Sequence, residues 1–199
     1  MTQQQKQLIA AVGILLGALL IFGSNKKQEG EVPTDTPSVQ SLAVQSTVAT
    51  PAPLGDALSF GDLKTIDGRS VSLQSLRGKV VILDFWATWC GPCRMAIPIL
   101  IDLQTKYRAS GFQVVGISDE TKEQVAPFAK RQGMNYAVVA DPEGSRIGGR
   151  AYGVRSLPTL VVIDRKGKIR MVEEGLDMRP GFSTGDKLND LVPKLLAEK

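Results

Sequence analysis

The chain has 199 residues, a net charge of +4 and no histidine. Without an imidazole, Ser-His-Asp triads, Cys-His proteases, His-ligated zinc and CxxCH haem attachment are excluded. Two cysteines permit neither a disulfide framework nor a four-cysteine metal site. Residues 1–53 balance Lys6, Lys26 and Lys27 against Glu29, Glu31 and Asp35, so the positive excess falls on residues 54–199. Spread over the surface of one domain, without a polybasic run, it is too mild to argue for nucleic acid.

A short tail, residues 1–7, leads into residues 8–23, which carry no charged or strongly polar side chain. As a helix this stretch is about 24 Å long, short of the roughly 30 Å hydrocarbon core of a bilayer. Lys6 and Lys26, which bracket it, can snorkel, so a single tight membrane span is expected. The alternative is a cleaved export signal, although Ile21 and Gly23 form a poor A-x-A-like site. A lipoprotein would need a cysteine just after the apolar run, and the first cysteine is Cys90. Residues 24–53 hold four of the eleven prolines with many Ser, Thr, Val and Gln and no aromatic residue. Such a stretch cannot bury enough apolar area to offset its ordering entropy and reads as a flexible linker. Residues 54–199 are left for one domain with a real core.

Within that domain, 60–66 and 70–73, joined through Asp67-Gly68, read as a small hairpin. Residues 80–86 (VVILDFW) form a nearly continuous apolar run, the mark of a strand buried on both faces. A helix is predicted after Cys90, with Ala96, Leu100, Leu103 and Tyr107 along one stripe and a kink at Pro98. Residues 113–118 give the next strand and 120–132 a helix weakened by Pro127. Residues 136–140 give a third central strand, followed by a short glycine-rich helix or loop. Thr159–Ile163, a turn at 164–167 and Lys168–Glu174 come next, and a last helix over 186–197 is interrupted by Pro193. Strands alternating with crossover helices imply a layered α/β domain around a mixed sheet.

The strongest chemical signal is Trp89-Cys90-Gly91-Pro92-Cys93, which follows a buried strand and opens a helix. That position puts Cys90 at a helix N-terminus, where unpaired N–H groups and the macrodipole favour a thiolate, the attacking species in disulfide exchange. Cys93, one turn further along, can resolve a mixed disulfide. Pro92 is tolerated in a first helical turn and fixes the geometry between the sulfurs. As a structural staple the pair is poor, since closing so short a loop restrains the unfolded chain by only about 2 kcal/mol. As a zinc site it lacks two partners.

The run Asp84-Phe85-Trp86-Ala87-Thr88-Trp89-Cys90-Gly91-Pro92-Cys93-Arg94 closely resembles the thioredoxin active-site signature. Tyr152-Gly153-Val154-Arg155-Ser156-Leu157-Pro158-Thr159 resembles the thioredoxin cis-proline loop. The hairpin around 67–73 and the extra strand and helix near 114–118 are similar to a narrower branch, the exported, membrane-tethered TlpA/ResA-like thiol–disulfide oxidoreductases, distant relatives of peroxiredoxins. The resemblance covers about residues 56–197. It implies a thioredoxin fold, a three-layer α/β/α sandwich with an N-terminal β-hairpin and a central βα insertion. The implied redox-active pair is Cys90, the nucleophile, and Cys93, the resolving thiol, with no cofactor and no metal.

Three further roles follow from the resemblance. Asp84 matches the carboxylate that relays a proton to the second cysteine; the plain alternative is a carboxylate capping a backbone group or paired with a lysine. Pro158 matches the cis-proline facing the dithiol, and the backbone of Leu157 would pair with an extended substrate; the alternative is an ordinary trans-proline at a strand start. Trp89, with Gly91 and Pro92, is expected to shield the dithiol and line the docking surface, unless Trp89 packs into the core. One position departs from the branch. Ala96 stands where many TlpA/ResA-like proteins carry a Glu, so a function tied to that Glu, selective recognition of apocytochrome c included, does not carry over from it.

The resulting expectation is a disulfide reductase outside the cytoplasm, since Gly-Pro is the dipeptide of reducing thioredoxins. Its expected partners are disulfide-containing exported proteins, with apocytochrome c as one case, and a membrane thiol electron donor that recharges it. Lys6 and the terminal amine balance Lys26 and Lys27, so the positive-inside rule does not set the sidedness. An external domain is expected because a cytosolic thioredoxin gains nothing from an anchor and a leash. The competing readings are a thiol peroxidase, which needs a peroxidatic Cys in a pocket with Arg and Thr, and a non-catalytic holdase or scaffold for exported proteins.

Overall fold

A computed structural model describes residues 54–57, 60–142 and 151–198. The expected tail, membrane span and linker (1–53), and the glycine-rich stretch at 143–150, lie outside the described residues. The described elements are β1 (Gly55–Asp56), β2 (Leu63–Lys64), β3 (Ser70–Val71), β4 (Val80–Phe85), α1 (Gly91–Tyr107), β5 (Phe112–Ser118), α2 (Lys122–Gln132), β6 (Ala137–Ala140), β7 (Thr159–Ile163), β8 (Lys168–Glu174) and α3 (Thr184–Ala197). No helix among the described residues is long and apolar enough to cross a membrane.

Strand β4 is central and buried along its whole length, which is why its sequence runs apolar without alternation. The main sheet has the order β1-β8-β7-β4-β5-β6. β4, β5 and β6 are mutually parallel neighbours, and β7 and β8 return antiparallel. The two parallel steps run in the same direction across the sheet, so right-handed crossovers place α1 and α2 on one face. Side chains obey the same division. Val80, Ile82 and Trp86 pack with α1, α2 and the Leu188–Leu195 stripe of α3, while Val81, Leu83 and Phe85 face the other way. That second face is covered among the described residues by Phe60, the β2–β3 hairpin, the 3-10 turn Gln74–Leu76 and the segment carrying Tyr152 and Val154.

The helices absorb their prolines rather than breaking. Pro98 and Pro127 are on exposed faces, where a carbonyl deprived of its helical donor can turn to water. Helix α2 is also well terminated: the Gln124 side chain accepts from the Thr121 N–H at 3.1 Å, and Gly133 closes the helix at φ 67°, a conformation that costs other residues a steric penalty. Helix α3 starts two residues earlier than the apolar stripe suggests. Ser183 accepts from the Asp186 N–H at 3.0 Å and Asp186 reaches back to the Ser183 N–H at 3.1 Å, a capping box.

The hairpin is shorter than its sequence span and has a second role. Leu63 pairs with Val71 and Lys64 with Ser70, while Thr65 bridges to Val139 and the Ile66 N–H donates to the Val138 carbonyl at 2.8 Å. It therefore covers the β6 edge of the main sheet, which would otherwise present unpaired backbone groups. At the end of β7 remote from Pro158, buried Arg170 donates to Asp164 at 3.0 Å and to Glu198 at 2.7 Å, tying β8 to the C-terminal end of α3.

Candidate active site

The chain leaves β4 through a tight turn in which the Cys90 N–H donates to the Ala87 carbonyl at 3.2 Å. Cys90 then serves as the N-cap of α1, with extended backbone, and its Sγ accepts from the Cys93 N–H at 3.2 Å. The sulfur occupies the place where a capping Ser or Asp oxygen usually lies, facing the unpaired amides of the first turn. Negative charge on Cys90 is stabilised there by a direct donor and by the helix end. Pro92 sits in that first turn without costing a helical hydrogen bond. Cys90 and Cys93 are joined in a disulfide. They are 4% and 1% exposed, so the helix end rather than burial separates their chemistry.

Asp84 lies in β4 opposite Gly116 of β5 and Leu160 of β7. The two-residue period of the strand puts it on the face of Val80, Ile82 and Trp86, the face that α1 covers and on which Cys93 is buried. It is 1% exposed, and neither carboxylate oxygen has a hydrogen-bonding partner among the described residues. Burial alone pushes its pKa up to about 7, because removing a carboxylate from water disfavours its charged form. Among the described residues Asp84 neither caps a backbone group nor pairs with a lysine. Trp86 Nε1 and Tyr136 Oη are likewise buried without partners among the described residues. Burial, then the Asp84 carboxylate, holds the Tyr136 phenol well above its usual range. Gly116 is required where these groups converge: a Cβ there would lie 2.9 Å from Trp86 Nε1 and 3.3 Å from Tyr136.

The Leu157–Pro158 peptide bond is cis. Thr159, the next residue, pairs with Phe85, so the cis bond lies at the end of the sheet from which β4 enters the Cys90 turn. Pro158 is buried, Leu157 is half-buried, and the Pro158 carbonyl accepts from the Gly175 N–H at 2.7 Å. Gly91 and Pro92 are exposed. Trp89 is 67% exposed; core packing is therefore not its role. One set of contacts has no counterpart among the sequence-based expectations: Glu120 and Arg94 both bind Thr88, two residues before Cys90. Glu120 looks in sequence like the first residue of the following helix, and nothing in its neighbours marks it as reaching back to the Cys90 turn.

A mixed sheet in this order, with a Cys-Gly-Pro-Cys disulfide at the start of the first crossover helix and a cis-proline at the same end of the sheet, defines a thioredoxin-fold protein with a redox-capable cysteine pair. The AhpC/TSA family model matches residues 54–172, and the chain belongs to that family. A thiol-disulfide oxidoreductase ResA of Bacillus thuringiensis (strain Al Hakam) is 38% identical over 105 residues, covering 52% of this chain and 60% of the relative's length. A second ResA, from Bacillus thuringiensis subsp. konkukian (strain 97-27), is 36% identical over 131 residues, 65% of this chain and 71% of that protein. Among solved structures, a putative thiol:disulfide interchange protein DsbE from Chlorobium tepidum superposes with a TM-score of 0.64 at 35% identity, covering 73% of this chain and 99% of that one.

Proposed function

We propose that the protein is a thiol–disulfide oxidoreductase that reduces disulfides in protein substrates. The observation that carries this reading is the Cys90–Cys93 disulfide with Cys90 as the N-cap of α1. In the reduced protein, the Cys90 thiolate attacks a substrate disulfide, bonds to one substrate sulfur and releases the other as a thiolate. Cys93, deprotonated with the help of Asp84, attacks the Cys90 sulfur and frees the second substrate thiol. Two electrons pass to the substrate and the protein is left as the disulfide. Trp89, Gly91, Pro92 and the backbone of Leu157 beside Pro158 form the surface that meets the substrate chain. Reduction of a model protein disulfide at the expense of dithiothreitol tests the activity. Wild type is expected to be active and Cys90→Ser inactive; an active Cys90→Ser removes the reading.

The direction rests on the Gly-Pro between the sulfurs. Thioredoxins work near about −270 mV, against about −120 mV for strongly oxidising relatives. Equilibration with glutathione is expected to place this protein toward the thioredoxin end, and a potential above about −150 mV would reverse the direction. The AhpC/TSA match keeps a thiol peroxidase as the second reading. Arg94, the arginine next to the dithiol, donates to the Thr88 carbonyl, which argues against its serving a peroxidatic pocket. Rapid peroxide consumption would restore that function.

The setting is also part of the proposal. Residues 8–23 anchor the protein in a membrane and residues 24–53 tether the domain on the extracytoplasmic side, where a membrane thiol donor recharges it and exported proteins, apocytochrome c among the candidates, are its substrates. In intact cells, reduced Cys90 is expected to react with a membrane-impermeant thiol reagent; complete protection would place the domain inside.

A further inference from the structure

Thr88, in the turn between β4 and Cys90, is held at all three of its polar groups. Its N–H and hydroxyl donate to the two oxygens of the Glu120 carboxylate, each at 2.6 Å. Its carbonyl accepts from Arg94 Nε at 3.1 Å and Nη2 at 2.9 Å. Both clamping side chains are themselves fixed. Glu120 Oε2 accepts from the Ser118 hydroxyl at 3.1 Å, and the Glu120 N–H donates to the same hydroxyl at 3.3 Å; Ser118 is buried at the end of β5. The Arg94 guanidinium lies 5.9 Å from the ring centre of Phe128 in α2, which packs on Trp86.

We infer that Glu120 and Arg94 are positioning residues for the exchange reaction: they clamp Thr88 from two sides and so hold Cys90 where its sulfur meets that of Cys93. The inference rests on the dithiol chemistry proposed above. Charge-assisted hydrogen bonds such as these are the stronger ones in a protein, and a bidentate carboxylate fixes direction as well as distance. A flexible peptide would lose much of its freedom on closing the Cys90–Cys93 bond; a clamped turn has already lost it. The clamp therefore acts mainly on the dithiol state. In the disulfide, the covalent ring confines Cys90 with or without it. In the dithiol, the clamp adds to the N-cap contact of Cys90 in keeping the two sulfurs at high effective concentration. Removing it favours the dithiol and makes the protein a stronger oxidant.

Equilibration with mixtures of reduced and oxidised dithiothreitol reads this directly: the protein's two thiols give two electrons and two protons to the reagent's disulfide, and the fraction oxidised yields the closure constant. Glu120→Ala is expected to lower that constant fivefold to tenfold, a rise in potential of about 20–30 mV, and Arg94→Ala to lower it about threefold to fivefold. Glu120→Gln keeps an oxygen for the Thr88 N–H and a group that can pair with the hydroxyl, so it is expected to stay within twofold of wild type. Ser183→Ala, which removes the N-cap of α3, is expected to lower the melting temperature without moving the constant, separating positioning from general loss of stability. Should Glu120→Ala not fold, Arg94→Ala and Glu120→Gln still decide. Closure constants for Glu120→Ala and Arg94→Ala within twofold of wild type overturn the clamp. So does a Glu120→Gln value as low as that of the alanine variant, which would assign the effect to charge. Failure of the wild-type protein to equilibrate at all would instead remove the exchange reading on which the clamp depends.

Discussion

Replacing Asp84 by Asn is expected to stabilise the protein above neutral pH and to leave it nearly unchanged near pH 4. The folded chain holds the Asp84 proton up to about pH 7, whereas the ordinary carboxyl value is 3.8. Between those limits unfolding releases a proton, so the unfolded state binds fewer protons than the native one and stability falls as pH rises. The loss is complete once the folded group has ionised. A difference of that size between the folded and unfolded proton affinities corresponds to at most about 4 kcal/mol. Asn keeps the size and polarity of the protonated acid but cannot ionise, so the variant should lack this decline. Urea denaturation of both proteins at pH 4.5, 6 and 8 measures it: the variant's advantage should grow with pH to about 3–4 kcal/mol at pH 8. An advantage that does not change with pH would mean that Asp84 titrates alike in the folded and unfolded chain. A protein that keeps such a group in its core carries a standing cost at neutral pH. Under the proposed exchange mechanism, in which Asp84 accepts the proton of Cys93, what the cost maintains is a base with a proton affinity near neutrality, the condition under which proton transfer is most effective.

The parts of this molecule that could be read from the sequence are those governed by local repetition. Six consecutive buried residues make β4 conspicuous, and Thr159–Ile163 and Lys168–Glu174 coincide with their predicted strands because their ends are marked by Pro158, the Asp164–Gly167 turn and Gly175. The cysteine pair was legible because its spacing and its place between a strand and a helix both carry chemistry. What escaped depends on partners distant in sequence. β1 is two residues long and exists because Gly55 and Asp56 pair with Ile169 and Lys168. The hairpin's service as an edge guard needs β6, more than sixty residues away. The grip of Glu120 on Thr88 spans 32 positions. Prolines 98, 127 and 193 misled in the opposite sense: their helical penalty is real, but tertiary packing of the apolar stripes on the sheet outweighs it, and at 98 and 127 the lost hydrogen bond faces solvent.

Changing Cys93 to Ser is expected to turn a transient intermediate into the main product. The helix end that favours a thiolate at Cys90 is untouched by the substitution, so the first attack on a substrate disulfide proceeds. Resolution needs a second sulfur nucleophile, and a serine hydroxyl does not supply one. The mixed disulfide between Cys90 and its substrate should therefore accumulate as a high-mass species that dithiothreitol disperses, while Cys90→Ser accumulates none. Asp84 acts between these extremes. If it takes the proton from Cys93, Asp84→Asn should leave the first attack intact and slow resolution by about 100-fold. The wild-type resolution rate should also rise with pH through about 7, as the carboxyl loses its proton and becomes able to accept one, and the variant should lose that inflection. Rapid-quench measurement of the mixed disulfide across pH 5.5–8.5 separates the steps. Trapping by Cys90→Ser instead of Cys93→Ser would reverse the two cysteines. An unchanged inflection in Asp84→Asn would transfer the proton step to another group, and the unpartnered Asp84 would then be a cost in stability with no return in rate.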